Sequence, residues 1–296
     1  MLNAVSGYPF AGLPRIVAIR DAKERTRPTQ ALRVLRETPV SLQIDGGNQV
    51  GYVALTKGID LALNKVRQSG VCILAMGNTW YTGRSFNYVE RLAREGYAAL
   101  LFSGGPPLVA PHGAIKPMLG TNPICVAFPT APDPVIVDLG TSATMSGEVL
   151  LHALLNKPMP AEVGIGPDGT PTRDASQILK GAILPLAGHK GYALSFAVQA
   201  LSLFGAAVLP PALQDGVGHL LIAFDPTLLC AREEFDQGMA GLRERITSLP
   251  RASGVQSVDI PSDRTYRSRQ TLRAQGIDID DAIVAQLKAM SRQAST

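Results

Sequence analysis

The chain has 296 residues, 46% hydrophobic and 18% charged, with a formal net charge of +4; that apolar content fills one large or two ordinary domains and excludes a disordered chain. Lys and Arg are scattered and aromatics reach only 5%, which argues against a nucleic-acid surface and for a basic rim around a small anionic ligand. No apolar run approaches the roughly 20 residues of a membrane span, no leader-like segment opens the chain, and Cys72, Cys125 and Cys230 lack disulfide or metal-ligand spacing, so the expectation is a cytoplasmic protein without a metal, its cysteines serving as small core residues.

Near its start the chain reads SGYPFAGLPRI, residues 6–16, a predicted rigid loop in which turn formers and two aromatics precede a lone cation, Arg15. Apolar residues at helical spacing before a terminal Gly predict helices over 55–70 and 85–96. Short apolar runs bounded by Gly or Pro predict buried strands over 71–76, 97–103, 122–129 and 134–140. Residues 156–175, rich in Pro, Gly and Asp, read as a lobe boundary, a crossing segment or a long surface loop. YALSFAVQALSLFG, residues 192–205, is apolar nearly all round and predicts a buried helix packed on a sheet or on a partner chain. A strand in VGHLLIAF and two amphipathic helices, EEFDQGMAGLRERITSLP and IDDAIVAQLKAMSRQ, complete an interleaved α/β chain.

The G-x-G-x-x-G fingerprint of the common dinucleotide fold is absent, as are a P-loop, a G-x-S-x-G elbow and H-E-x-x-H. Of the four histidines, His152 reads as a core or interface residue and His219 as structural, while His112 in APHG belongs to a loop near a possible site. His189 in AGHKGYALS is different: with Lys190 it sets cationic donors beside a free helix N-terminus, either an anion site or a plain helix start. LGTNP, residues 119–123, reads first as a turn with a local Asx-type hydrogen bond. VDLGTSATMSGE, residues 137–148, carries a strand into a small polar loop with Asp138 and Glu148, read as a ligand-site position or an N-cap cluster.

Taken in order, LQIDGGNQVGYVA, YVERLAREG, APHGAIKPMLGTNPICVAFP, VDLGTSATMSGE, LPLAGHKGYAL and DIPSDR resemble the malate/L-lactate dehydrogenase family. That family is unrelated to the Rossmann dehydrogenases and includes reductases of Δ1-piperideine-2-carboxylate and Δ1-pyrroline-2-carboxylate. The resemblance implies a family-specific, non-Rossmann α/β fold with a mixed sheet and flanking helices, its N-terminal helical segment shortened. It divides the chain into a substrate-side segment (1–50), a cofactor-binding core (51–225) and C-terminal helices packing back on the core (226–296). It also implies NADPH or NADH as cofactor and a homodimer; composition and hydropathy give the expectation of no nucleic-acid or membrane partner. Cofactor contacts would come from Tyr81, Thr82, Gly83, Arg84 and Ser85, from Asp138, Leu139 and Gly140, from His189, Lys190 and Gly191, and from Ser262, Asp263 and Arg264. Arg15 and Thr121 would bind the substrate, and the GHKG form points to the ketimine reductases.

The departures from the family pattern carry the functional question. Where the family reads Gly-His-Pro-Ser-His-Gly-x-x-Arg, residues 7–15 read GYPFAGLPR, so Phe10 and Ala11 stand where a Ser and a proton-donating His are expected. Glu148 takes the place of an Asp, and Tyr81 that of a second His. Reducing a 2-keto acid develops an alkoxide, for which a positioned proton donor contributes about 10²- to 10⁴-fold; a cyclic imine that binds protonated brings its proton with it. The expected activity is therefore reduction of a small cyclic 2-imino acid, with Glu148 and Tyr81 at the reacting centre. The alternatives are a 2-hydroxy acid dehydrogenase of malate or lactate type, and a non-catalytic homologue that binds cofactor or partner.

Overall fold

The computed structural model describes residues 12–22, 27–208, 217–279 and 281–293; Gly7 to Ala11 of the opening motif, with Tyr8, Phe10 and Ala11, lie outside the described residues. The chain forms two compact units. The larger runs from Gln30 to Asp236, and in the smaller the described residues up to 29 associate with those from 237 onward.

The larger unit is built on a seven-stranded sheet of β1 (Arg33–Thr38), β2 (Ser41–Val50), β3 (Val71–Trp80), β4 (Ala98–Gly104), β5 (Ile124–Phe128), β6 (Val135–Leu139) and, at its centre, a late strand, Gly218–Phe224, in the order β1-β2-β3-late-β4-β5-β6. The β2–β3 pair is parallel and the others are antiparallel, so the sheet is mixed. Ile44, Leu74, Met76, Leu101 and Leu221 from four strands are fully buried. Helix α2 (Gly51–Ser69) buries Leu55, Ile59, Ala62, Leu63 and Val66, the stripe its spacing predicts, and stops where Gly70 turns left-handed at φ 76°. Helix α3 (Phe86–Arg94) likewise buries Phe86, Val89 and Leu92.

The strands expected at 71–76, 97–103, 122–129 and 134–140 all form. Residues 156–175 do not separate two units: Met159 and Val163 join a buried cluster with Val109, Leu119, Val149, Ile178 and Ile183. That cluster lies beneath α4 (Ser146–Leu154), β7 (Gly164–Ile165), α5 (Ala175–Lys180) and β8 (Ala182–Ile183), with β7 paired to β8. His152 is no core residue; it is half-buried, and its Nδ1 lies 3.0 Å from the Pro158 carbonyl oxygen.

Helix α6 (His189–Ala206) packs on β3, β4 and the central strand, now β9. It is not buried all round. Its inner face is made of Gly191, Ser195, Val198, Ser202, Gly205 and Ala206, whereas Leu194, Phe196, Leu203 and Phe204 on the other side are 45–61% exposed. The small inner residues permit backbone contact: a Cβ on Gly205 would lie 2.2 Å from the Met76 carbonyl oxygen, one on Gly77 2.2 Å from the Gly205 oxygen, and one on Gly218 2.1 Å from the Ser202 oxygen. His219 is structural, as expected. Fully buried, it bonds Ser103 Oγ (2.9 Å) and Thr79 Oγ1 (3.1 Å) across three strands, and burial pushes its pKa down to about 4, so the ring is neutral at pH 7.

The smaller unit contains α1 (Pro14–Arg20), most of α7 (Arg232–Thr247), α8 (Asp263–Gln275) and α9 (Asp281–Gln293), with α1 against α9. Both amphipathic helices expected near the C-terminus therefore form.

Candidate active site

Strand pairing brings the family-like motifs of the larger unit to one end of the sheet. Ile124 at the start of β5 pairs with Leu139 at the end of β6 and with Phe102 near the end of β4, and β4 and β3 reach Gly218 through Gly104 and Gly77. The 81–85 loop leaves β3 there, LGTNP enters β5 there, and the 140–145 loop leaves β6 there.

The 81–85 loop is held from below. Tyr88 donates from its hydroxyl to the Thr82 carbonyl oxygen at 2.5 Å, and Gly83, at φ 70°, lies so close to Tyr52 that a Cβ would sit 2.5–2.7 Å from its ring and hydroxyl. Ser85 is buried at the start of α3. Arg84 Nε lies 3.3 Å from Asp138 Oδ2, which also receives the Phe86 amide at 3.4 Å, tying this loop to β6. Burial pushes the Asp138 carboxyl up, against the Arg84 guanidinium and the Phe86 amide, which favour its ionised form. Asp138 is thereby committed to the loop it orients. Tyr81 itself is 41% exposed, left-handed at φ 48°, with its ring 5.7 Å from that of Trp80.

Three loops are then laced together by hydrogen bonds to backbone carbonyl oxygens. Thr141 donates from its amide (3.0 Å) and hydroxyl (3.3 Å) to the Thr121 carbonyl oxygen, Leu186 donates to Thr141 at 3.0 Å, and Ala143 donates to Leu184 at 2.8 Å. This places Thr121, the Leu139–Gly140 turn and the LPLAGHKG segment side by side. Asn122, read from the sequence as a local turn residue, instead reaches across to α6, and only its position before Pro123 in a buried run hinted at more. Glu148 lies in the first turn of α4, exposed, its Oε2 accepting from Thr144 Oγ1 at 2.7 Å.

The GHKG turn opens α6. Ala187 and Gly188 have φ of 48° and 62°, and the Gly191 amide donates to Leu186 at 2.9 Å, with a Cβ on Gly191 falling 2.1 Å from that oxygen. His189 and Lys190 are exposed, and His112 faces His189 with ring centroids 6.1 Å apart. A dinucleotide needs backbone and cationic donors for its phosphates and a surface clear of side chains. This end of α6 fits: a Cβ on Gly188 would take up the space before His112, 3.6 Å from its Cε1, and Lys190 is open to solvent.

The remaining candidates belong to the smaller unit. Arg15 is half-buried in the first turn of α1, directly after Pro14 at a helix start, so it stands on a helix and not in the predicted loop. Asp263 accepts from Arg243 Nη1 at 3.0 and 3.1 Å and from the Ile260 amide at 3.1 Å, which gives it a structural task at the head of α8. Ser262 is left-handed at φ 80°, and Arg264 is exposed.

Among the described residues no group of acidic, His and Cys side chains could hold a metal ion, and no helix is long and apolar enough to cross a membrane. The malate/L-lactate dehydrogenase family profile matches residues 5–288. A Δ1-pyrroline-2-carboxylate/Δ1-piperideine-2-carboxylate reductase of Pseudomonas syringae pv. tomato is 34% identical over 84% of this chain and 74% of its own length. A (2R)-3-sulfolactate dehydrogenase (NADP(+)) of Chromohalobacter salexigens is 31% identical over 84% of this chain and 75% of its own length. The crystal structure of malate dehydrogenase from Entamoeba histolytica, 22% identical, superposes with a TM-score of 0.91 over 100% of this chain and 89% of that one, a likeness of fold. The chain belongs to the malate/L-lactate dehydrogenase family and is an NAD(P)-dependent oxidoreductase.

Proposed function

We propose that the protein reduces a small cyclic 2-imino acid of the Δ1-pyrroline-2-carboxylate or Δ1-piperideine-2-carboxylate type. The observation that carries this reading is the pair Phe10 and Ala11, standing where the family motif relays a proton through Ser and His. Neither side chain can donate one. A protonated imine needs no acid in the hydride step: as hydride adds to carbon, the C=N π pair moves onto nitrogen and leaves a neutral amine, which then takes a proton from water. Bound NAD(P)H supplies the hydride. The protein's tasks are then to hold the carboxylate, assigned to Arg15 and Thr121, to stabilise the cation with Glu148, whose carboxylate Thr144 orients at 2.7 Å, and to orient the ring with Tyr81. The dinucleotide is assigned to residues 81–85, 138–140, 189–191 and 262–264; the roles of Arg15, Ser262, Asp263 and Arg264 rest on the motif match alone. The named activity of the Pseudomonas relative supports the imine.

That of the Chromohalobacter relative favours a second reading, dehydrogenation of a 2-hydroxy acid with the Tyr81 hydroxyl as donor. Oxidation of NADPH and of NADH, followed spectrophotometrically against a panel of cyclic imines and 2-keto acids, decides. Imine-dependent oxidation is expected; turnover of keto acids alone would overturn the substrate assignment, and oxidation with neither would sink both readings.

The protein is further proposed to be a homodimer. From Tyr192 to Val208 the chain has no charged residue, and the outward side of α6 shows water Leu194, Phe196, Leu203 and Phe204, a contiguous apolar face that a monomer rarely keeps. Sedimentation equilibrium should give twice the chain mass, and Phe196→Glu should shift it to the monomer mass; a wild-type monomer would refute this. Free thiols at Cys72, Cys125 and Cys230 suit the reducing cytoplasm proposed as its location.

A further inference from the structure

We infer that Asn122 is a positioning residue: it struts the substrate loop against helix α6 and so sets the affinity for the carboxylate end of the substrate. The inference rests on the reading of Thr121 as a substrate contact.

Asn122 is completely buried and left-handed, with φ of 39°. Its Nδ2 donates to the Ser195 carbonyl oxygen (3.0 Å), to Ser195 Oγ (3.1 Å) and to Gln199 Oε1 (2.9 Å), all on α6, while its Oδ1 accepts from the Gly105 amide at 3.2 Å. Gln199 Oε1 also lies 3.5 Å from the Gly120 amide. The packing around this amide is tight, since a Cβ on Gly120 would fall 2.5 Å from Asn122 Oδ1. An Asn that only closed a turn would bond backbone within its own loop; this one spends its donors on a helix more than 70 residues away in sequence.

The next residue back, Thr121, is thus fixed from two directions. Asn122 pulls the loop onto α6, and Thr141 grips it through the Thr121 and Asn122 carbonyl oxygens at 3.0–3.3 Å. Helix α6 also begins with His189, Lys190 and Gly191. Substrate loop and proposed dinucleotide end therefore share one rigid helix, joined through the side-chain amides of Asn122 and Gln199. Rigid pre-placement of a contact lowers what binding must spend on ordering it, so loosening the strut raises KM for the organic substrate ahead of kcat.

The test compares Gln199→Leu with Gln199→Glu. Glutamate keeps an oxygen acceptor at the same reach for Asn122 Nδ2, and leucine does not. Gln199→Leu is expected to raise KM for the best organic substrate of the panel about tenfold, with kcat and the KM for NADPH changed by less than about threefold. Gln199→Glu should recover most of that loss. Asn122→Asp, which keeps the Gly105 acceptor but loses the donor, should exceed Gln199→Leu where circular dichroism shows it folded. The dissociation constant of pyrrole-2-carboxylate, a planar ring carboxylate, gives the same comparison by calorimetry without turnover. A folded Gln199→Leu protein with wild-type KM and wild-type affinity overturns the strut, as do equal defects in the leucine and glutamate variants. Turnover of keto acids instead of imines would refute the proposed substrate and leave the strut to be judged on the keto-acid KM.

Discussion

Gly205→Ala is expected to lower the melting temperature of the protein by about 10 °C, measured by circular dichroism, because the added methyl meets three backbone atoms on two strands. Its Cβ would lie 2.2 Å from the Met76 carbonyl oxygen, 2.7 Å from the His219 amide nitrogen and 2.8 Å from the His219 oxygen. Overpacking against side chains costs about 1–3 kcal/mol. Here no rotamer change relieves the clash, so the upper end applies, and about 3 kcal/mol corresponds to about 6–12 °C for a unit of this size. Gly77→Ala should behave alike, since its Cβ meets the Gly205 oxygen at 2.2 Å. Gly238→Ala, in α7 with nothing within 4 Å of the new atom, should instead stabilise by up to about 1 kcal/mol through helix propensity. A Gly205→Ala protein that melts with the parent would show that α6 does not rest on the sheet through its backbone.

Arg15→Ala is expected to reduce kcat/KM for the organic substrate about 100-fold, chiefly through KM, while the KM for NADPH holds. A charge-assisted hydrogen bond contributes up to about 3 kcal/mol, which is about 100-fold in affinity. Arg15→Lys should restore only part of the loss, because an ammonium lacks the planar fork that matches a carboxylate in two places. Steady-state kinetics with the substrate varied at saturating NADPH reads both. An unchanged KM would remove Arg15 from the substrate site.

Most of the sheet was legible because β3 to β6 and β9 are short apolar runs closed by Gly or Pro, which is how a strand covered by helices reads. The strands that went unread lack that signature. All six residues of β1 are exposed, so no alternation marks it. In β2 the sequence DGGN looks like a turn, yet Gly47 and Asn48 form a left-handed irregularity inside a strand, with φ of 65° and 55°. It is stabilised by Asp45, whose carboxylate accepts from the Gly47 amide, Asn78 Nδ2 and Arg33 Nη2 at 2.7–2.9 Å. Burial opposes ionisation of Asp45, and these bonds outweigh it, holding its pKa below the usual carboxylate range. Helix α8, DRTYRSRQTLRAQ, has no apolar stripe to read and buries only Thr265 and Arg269. Pro14 was the one available sign that the Arg15 segment turns helical. Of the residues proposed for the site, Thr121 and Asp138 lie at or beside strand ends, as their sequence runs predict. The part of Asn122 could not be read, since every partner of its amide group lies on another element.

The glycine contacts between α6 and the sheet have a mechanical meaning. From Gly205 to His189 the helix is a rod about 24 Å long at 1.5 Å per residue, seated at one end where carbonyl oxygens press on bare Cα atoms and braced part-way by Asn122. It acts as a pointer: a swing of two to three degrees at the seat moves the tip, with Lys190 and Gly191, by about 1 Å, a displacement that can cost a reaction about 10²-fold. Residues that touch neither reactant thus aim those that are proposed to.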